Sequence, residues 1–374
     1  MLNINYLIHY LKKLMSKPVF CRLEQLAHLG LPSQTFIPAI LQELHHLIPS
    51  VANTFCWQDE EENLSNIYDE TENINIHEAF GRSIASQAPD KYTHTIQWVS
   101  QLDTCTTSFE NFDKCPFIAE FYKTIMLPAG YTNTCFIPIF HNTTKKRLGV
   151  LMIHRPRSAK SFSEEDRTNL QHITTIIARG IEQAGKEKPS LTDGWSQGLL
   201  ISDKMGELQY ACSMGDKLLS LASSSQVGSK RSRTPSLNNF TGIKELLEKV
   251  IKQNKYKPQE NDPTLSITNA WGQFQLRGFF LQNKSDDNTS LIGLNIRWQE
   301  PFVLTLFHRI KMLSLTPRQE TVGLLYAAGD QYQTIAEKLG LSLYTVKDHI
   351  KNISARLNIN SRADLIELIL CSKT

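Results

Sequence analysis

The sequence lacks the long apolar runs of a membrane protein and the leader of a secreted one. No run approaches the roughly 18–20 apolar residues that cross a bilayer as a helix. The first residues, MLNINYLIHYLKKLM, contain no basic segment ahead of an apolar core and no small-residue cleavage site. We therefore expect a cytoplasmic protein with no membrane among its partners.

Cysteine and histidine are present without the spacing that metal sites or disulfide frameworks need. The seven cysteines are scattered, none forms a CxxC pair, and the eleven histidines show no ligand spacing. This pattern favours buried free thiols and predicts no metal and no cofactor.

Catalytic motifs are missing as well. The sequence has no GxSxG, HExxH, P-loop or GxGxxG motif. A phosphorylated receiver domain needs acids clustered at strand ends, whereas the only Asp-Asp pair, Asp286-Asp287, lies in a polar stretch late in the chain. We expect that the protein is not an enzyme.

Charge of either sign is in little excess, since the net charge is only +3. Residues 301–374 contain nine Lys and Arg against six Asp and Glu, whereas the first 300 residues contain 31 of each. A positive surplus confined to one end suits a module that faces phosphate groups.

The chain length of 374 residues predicts two or three domains. Residues 1–48 show helical periodicity, and the following stretch mixes strands (VANTFCW, LSNIY) with helices (HEAFGRSIASQA, PFIAEFYKTIM). TNTCFIPIF and RLGVLMIHR flank the polar turn HNTTKK, which is typical of a β-hairpin, and Ser163 then caps a long helix.

A second mixed region follows the break GKEKPSLTDGWS. It predicts a hairpin (GLLIS, DKMG, ELQYACS), a helix (KELLEKVIKQ) and three strands (LSITN, FQLRGFFLQN, SLIGLNIRW). The Ser-rich basic segment around Lys230 is interpreted either as a phosphate-binding arm or as a solvated loop. No internal repeat is visible. We predict domains at 1–188, 189–300 and 301–374.

After Leu313 the pattern is purely helical. Thr316-Pro317-Arg318-Gln319 predicts a capped helix start, and Gly329 stands where that helix ends. A short helix (QTIAEKLG) and a longer one (LYTVKDHIKNISARL) meet at Gly340, and a capping box at Ser361 opens a fourth helix. This order predicts a helix-turn-helix, although a ligand-free helical bundle would give the same periodicity.

The residues of this end resemble the DNA-binding domain of the LuxR family of bacterial regulators. The matching elements are Leu-Thr-x-Arg, Ala-x-Gly, Ile-Ala, Leu-x-Leu-Ser, Thr-Val-Lys-x-His, Asn-Ile, Arg-Leu and Ser-Arg-x-x-Leu-Ile, in register over about 60 residues. The resemblance implies a transcription regulator whose partner is double-stranded DNA. It also makes the fourth helix a candidate dimer surface. Because one helix in one major groove reads only a few base pairs, we expect a homodimer that is held mainly by the sensor region. RNA polymerase stays open as a further partner.

The resemblance places the helix-turn-helix at Tyr332 to Lys351. It assigns DNA contacts to the outer face of the longer helix, at Tyr344, Thr345, Lys347, Asp348 and Lys351. A carboxylate at Asp348 could accept a hydrogen bond from a cytosine amino group, or pair with Lys347 or Lys351 within its own helix. The family usually has acids near Gln319, Thr321 and Thr334, and their loss removes acidic caps or ion pairs.

The first 300 residues resemble sensor domains only in outline. Gly149-Val150-Leu151-Met152 with the Ser163 helix start looks GAF-like, and the region from Gly198 looks faintly PAS-like. The fold class is therefore multidomain: an α+β sensor region (GAF/PAS-like antiparallel sheets with helices), then an all-α four-helix helix-turn-helix domain.

Two functions stay open for this chain. The first is a signal-responsive transcription regulator with a small-molecule effector of unknown identity. The second is a sequence-tolerant DNA-binding structural protein with a non-sensing dimerisation region. The Trp/Tyr/Asp constellation of acyl-homoserine-lactone sensors is not recognisable, although Trp57, Trp98 and Tyr131 are either pocket or core aromatics.

Overall fold

A computed structural model of the chain describes residues 18–61, 64–70, 106–107, 123, 127, 130–156, 158–184, 190–223, 237, 242–256, 262–269, 272–282 and 290–371. The described residues divide into two compact units. The first contains residues from 1–49, 172–192 and 300–374. The second contains residues from 50–171 and 193–299.

The second unit contains a first five-stranded sheet. Its strands are β1 (Ala52–Gln58), β2 (Leu64–Asp69), β3 (Thr106–Thr107), β4 (Tyr131–Phe140) and β5 (Arg147–Pro156), in the order β2-β1-β5-β4-β3. Every neighbouring pair is antiparallel. The predicted hairpin is confirmed, since β4 and β5 pair with Ile137 opposite Leu151 and join through Lys145 at φ 58°.

The predicted long helix after this sheet is also confirmed. It is the third helix of the chain, α3 (Glu164–Glu182). Ser163 Oγ accepts from the Asp166 backbone N–H at 3.1 Å, and Asp166 Oδ2 accepts in return from the Ser163 backbone N–H at 2.8 Å. Arg155 adds an ion pair to the same carboxylate at 3.3 Å. This reciprocal cap satisfies backbone donors at the start of the helix.

A second sheet lies in the same unit. Its strands are β6 (Leu191–Ser202), β7 (Leu208–Ala211), β8 (Thr264–Asn269), β9 (Gly272–Gln282) and β10 (Ser290–Pro301), in the order β7-β6-β10-β9-β8. The helices α4 (Ser213–Ser223) and α5 (Ile243–Tyr256) lie between β7 and β8 in sequence. A Cβ on Gly198 of β6 would lie 2.2 Å from the Gly215 Cα of α4, so the strand and the helix cross closely because both residues are glycines.

The two sheets share one strand order. In each, the second strand in sequence pairs with the first, the first neighbours the fifth, and the fifth is followed by the fourth and third. The sequence shows no internal repeat, so the same topology is built from unlike residues.

The first unit is helical. Residues 18–27 form α1, which is followed by α2 (Ser33–Leu44), the end of α3, and α6 (Phe302–Ile310) with a short 3-10 turn. The C-terminal helices are α7 (Pro317–Ala327), α8 (Tyr332–Leu339), α9 (Leu343–Leu357) and α10 (Arg362–Cys371). Leu23 and Leu26 of α1 are fully buried. Gly180 of α3 faces the ring of Phe36, which a Cβ would approach to 2.2 Å.

The fold class is confirmed: antiparallel sheets with helices precede an all-α C-terminal end. The predicted domain boundaries at 188 and 300 stay a prediction. The helices predicted in HEAFGRSIASQA and PFIAEFYKTIM lie outside the described residues except for residue 123, and so does the segment around Lys230. In the part of the chain that is described, no helix combines the length and apolar character needed to span a membrane.

The prediction of buried free thiols holds for Cys56, whose burial raises the pKa of the thiol. It is wrong for Cys135, which is disulfide-bonded, and for Cys212 and Cys371, which are free but exposed. The error has a plain reason, because pairing of distant cysteines depends on the tertiary fold rather than on sequence spacing.

Candidate nucleic-acid interface

The start of α7 fixes the first helix of the C-terminal domain. Thr316 Oγ1 accepts from the Gln319 backbone N–H at 3.3 Å, and Gln319 Oε1 accepts from the Thr316 backbone N–H at 3.1 Å. Pro317 occupies the first turn. The predicted capping box is confirmed, with the amide of Gln319 as the reciprocal acceptor.

The end of α7 and the loop to α8 are tied down by side chains from later helices. Gly329 takes φ 111° after the helix, as predicted. Arg362 of α10 donates from Nη1 to the Gly329 carbonyl at 3.0 Å and from Nη2 to the Asp330 carbonyl at 2.8 Å. Its guanidinium lies 4.4 Å from the centroid of the Tyr326 ring. Lys338 pairs with the Asp330 carboxylate at 2.8 Å.

The turn between α8 and α9 sets the angle between these helices. Gly340 adopts φ 61°, its N–H donates to Glu337 O at 3.3 Å, and the Leu341 N–H donates to Ala336 O at 2.9 Å. This pair of bonds is a Schellman motif, which requires a left-handed residue at its centre. The small Ala336 is buried, and α8 packs against α9.

The inner face of α9 attaches the helix to its domain. Ser342 Oγ accepts from the Thr345 backbone N–H at 3.1 Å and begins the helix. Val346, Ile350 and Ile353 are at most 7% exposed. The helix ends at Asn358 in the left-handed region. These three buried residues define the inner side of α9, and they fix which residues face outward.

The outer face of α9 is where the predicted site residues lie. Tyr344 is 80% exposed, Lys347, Asp348 and Lys351 are exposed, and Thr345 is half-buried. No acidic partner of Lys347 or Lys351 occurs among the described residues. Two cations one helical turn apart therefore stand on an open surface.

Asp348 has a partner that the sequence interpretation did not name. Its Oδ2 accepts from Asn352 Nδ2 at 3.0 Å, so its intrahelical bond is to Asn352 and not to Lys347 or Lys351. A carboxylate and an amide at this i, i+4 spacing are neighbours on one face. Both lysines are therefore left available to other groups.

The fourth helix, α10, begins with the predicted capping box. Ser361 Oγ donates to Asp364 Oδ1 at 2.7 Å, and the Asn360 backbone N–H donates to Asp364 Oδ2 at 2.8 Å. The Ser361 hydrogen bond is the main cause that holds the pKa of the Asp364 carboxyl below its usual range. Leu365 and Ile369 are buried against the domain's own core, which leaves Leu370 as an exposed apolar residue of this helix.

Sequence reasoning missed two residues that position this surface. Arg362 was noted only as part of a capping box, whereas its guanidinium ties the α7–α8 loop. Gln25 of α1 was not noted, and its Nε2 donates to Thr321 Oγ1 of α7 at 3.1 Å in a buried bond. The family usually has an acid near Thr321, and this sequence does not. That missing acid was the signal in the sequence that Thr321 has an unusual partner.

Comparisons with known proteins agree with this geometry. Residues 313–369 match the family described as "Bacterial regulatory proteins, luxR family". No curated protein matches the sequence. Within the described residues, no group of three or more His, Cys, Asp or Glu side chains could hold a metal ion.

Several solved structures show a distant likeness. A phage VqmA–DPO complex is 17% identical with a TM-score of 0.20, and covers 48% of this chain and 84% of its own. A Vibrio cholerae VqmA–ligand–DNA complex is 16% identical with a TM-score of 0.21, at 48% and 84% coverage. An E. coli DhaR(N)–DhaL complex is 10% identical with a TM-score of 0.24, at 74% and 87% coverage.

The capped four-helix arrangement, the turn at Gly340, the open cationic face of α9 and the family match agree with one another. Residues 313–369 are a helix-turn-helix domain of the luxR family of bacterial regulatory proteins.

Proposed function

We propose that the chain is a sequence-specific transcription regulator that reads duplex DNA with Tyr344, Thr345, Lys347, Asp348 and Lys351. The observation that carries this proposal is the outer face of α9, where both lysines are exposed and lack an acidic partner among the described residues. Lysine donates to phosphates and to guanine edges, and the Asp348 carboxylate accepts from cytosine amino groups.

The dimensions of α9 suit the major groove. Its 15 residues span about 22 Å at 1.5 Å per residue, and the groove is about 12 Å wide. Because recognition helices read bases near their N-terminal end, the residues from Tyr344 to Lys351 enter the groove. Thr345 is already bonded to Ser342, with 2.8 Å between the hydroxyl oxygens, so its remaining capacity is suited to one phosphate oxygen.

One helix-turn-helix reads too few base pairs to mark a promoter, so the regulator acts as a homodimer on an inverted repeat. It acts in the cytoplasm, where chromosomal DNA lies. RNA polymerase is the further partner we expect, because a bound regulator changes transcription at the promoter.

The regulator responds to a signal through its N-terminal region. What supports this is direct packing of α1 on the first helix of the helix-turn-helix domain, within one compact unit. Gln25 is 1% exposed and bonds to Thr321, 296 residues away. Arg179 of α3 pairs with Glu24 of α1 at 2.6 Å, so the sensor-side helices hold the segment that contacts α7. A movement of α1 or α3 therefore alters the packing on α7.

The test begins with a binding site selected from random duplexes by the full chain. Lys347→Ala and Lys351→Ala should each weaken binding to this site by roughly 1–3 kcal/mol, since each removes one base or phosphate contact. Each lost phosphate contact should also reduce the slope of log affinity against log salt by about 0.9. Lys311→Ala is the matched control, because Lys311 is an exposed lysine of the same compact unit outside α9.

Wild-type affinity and salt slope in a folded Lys347/Lys351 double variant would contradict the assignment. Selection that yields no preferred sequence, with equal affinity for all duplexes at fixed salt, would favour the sequence-tolerant structural protein instead.

A further inference from the structure

A cavity of about 620 Å³ lies where α1 and α3 meet the helix-turn-helix domain. Its walls come from α1, from Arg179 of α3, from the start of α7 and from the end of α8, all within one compact unit. Cavities of roughly 300–1,000 Å³ hold small-molecule ligands in proteins. The volume is thus suited to a ligand and is larger than one or two waters would need.

The apolar part of the wall is formed by Phe20, Pro317 and Leu339. The ring of Phe20 packs against the ring of His172, with 5.0 Å between the ring centroids. A ring or a short alkyl chain would remove these three side chains from water, which is favourable by roughly 25 cal/mol per Å² buried.

The charged part of the wall has one unmatched cation. Arg179 forms a two-pronged ion pair with Glu24, at 2.6 and 3.3 Å, so these charges compensate each other. Arg318 donates only to the Leu339 carbonyl, at 3.3 Å, and no carboxylate among the described residues pairs with it. Four of its five N–H donors are therefore free, in a fork that matches a carboxylate.

The wall of the cavity also includes a histidine side chain. His28 lines the wall, and its Nδ1 is buried with no hydrogen-bond partner among the described residues. Burial is the main cause that lowers the pKa of His28, so the ring is neutral at pH 7. Because Nδ1 has almost no accessible surface and Nε2 lies 3.9 Å from Glu24 Oε2, His28 contributes an uncharged part of the wall and not a donor for a ligand.

We propose that this cavity binds a small amphiphilic carboxylate. The carboxylate pairs with Arg318 at the N-terminal end of α7, where the helix dipole also favours an anion. The apolar body lies against Phe20, Pro317 and Leu339. Because both the N-terminal helices and α7 form the wall, the ligand stabilises the packing of α1 on α7.

The binding step does not depend on the proposed DNA reading and is measured without DNA. Full-length protein is titrated calorimetrically with octanoate and with naphthoate, and with octylammonium and octanol as probes of charge. We expect saturable binding of a carboxylate at one site per chain, with octylammonium not bound and octanol weaker by roughly tenfold or more, as for a lost charge-assisted bond.

Variants locate the site. Arg318→Gln should weaken carboxylate binding by roughly tenfold or more, whereas Arg318→Lys should weaken it less, because the charge remains although the two-pronged fork is lost. Arg356→Gln is the control, since it removes another exposed arginine, on α9 and outside the cavity wall. Circular dichroism checks that each variant is folded, and Arg318 is exposed, so its replacement leaves the core intact.

Failure of both carboxylates to bind, equal binding of octylammonium, or unchanged binding by folded Arg318→Gln would each overturn the proposal. The effect on DNA affinity is a separate measurement, and it rests on the proposed function. The two proposals can therefore fail separately. If the protein binds a carboxylate through Arg318 but binds no DNA, the proposed function is refuted and the ligand site is supported.

Discussion

Arg362→Ala should lower the local stability of the helix-turn-helix and leave the residues on the outer face of α9 unchanged. Arg362 donates to two carbonyls of the α7–α8 loop and lies over the Tyr326 ring. Hydrogen bonds from a charged group contribute roughly 1.5–3 kcal/mol each, and a cation–π contact at an exposed site roughly 0.5–1 kcal/mol.

The net effect is smaller than the sum of these contacts. Gly329 is exposed and Asp330 is half-buried, so water replaces part of what the guanidinium donates. We therefore expect the local opening free energy of α8 and the α7–α8 loop to fall by about 2–3 kcal/mol. Arg362→Lys should recover about half, because a single ammonium cannot bond both carbonyls in the fork geometry of arginine.

Hydrogen exchange of the full-length chain measures this change segment by segment. Peptides that cover residues 328–345 should exchange faster in Arg362→Ala, whereas peptides from β4 and β5 should not change. Arg356→Ala serves as the control, and should alter protection by no more than about 0.5 kcal/mol because Arg356 is exposed on α9. Unchanged protection of the α7–α8 loop in Arg362→Ala would refute the reasoning.

Two further predictions concern acid stability and assembly. Burial lowers the pKa of His154 to about 4, and its ring lies between the hydroxyls of Thr54 and Thr134 at 2.9 and 3.0 Å. The unfolded chain therefore binds the proton first, and stability should fall as pH drops from about 6.5 to 4, by up to about 3 kcal/mol for this group. Urea midpoints followed by tryptophan fluorescence should show this fall, with a flatter profile in His154→Gln; equal profiles would contradict it. The chain should also sediment as a dimer without DNA and protect an inverted repeat with half-sites about 34 Å apart, so a monomer that binds one half-site at full affinity would contradict the homodimer.

The caps and turns of the C-terminal domain were predictable because their signals are local. Thr316 and Gln319 lie three residues apart and bond to each other, and Gly340 is needed where the backbone turns left-handed. The inward row Val346, Ile350 and Ile353 follows from the 3.6-residue period alone. The hairpin of β4 and β5 was also predictable, because a short polar turn between two apolar strands fixes their pairing.

Other features depend on residues far apart in sequence, and periodicity carries no signal for them. The sequence did not indicate the disulfide of Cys135 or the bond between Arg362 and the α7–α8 loop. The DNA contacts of α9 stay predictions, because a face can be exposed and cationic without revealing what occupies it.

The sequence by itself determined where the helix-turn-helix lies and which side of α9 faces outward, since caps, turns and amphipathic periods act over a few residues. Only the tertiary structure decided that two sheets of unlike sequence share one strand order, and that Gln25 meets Thr321 across 296 residues. It also decided that a cavity with an unmatched Arg318 lies beside that contact. Long-range packing selects among many partners of similar local pattern, so the choice is made by the whole fold and not by any one segment.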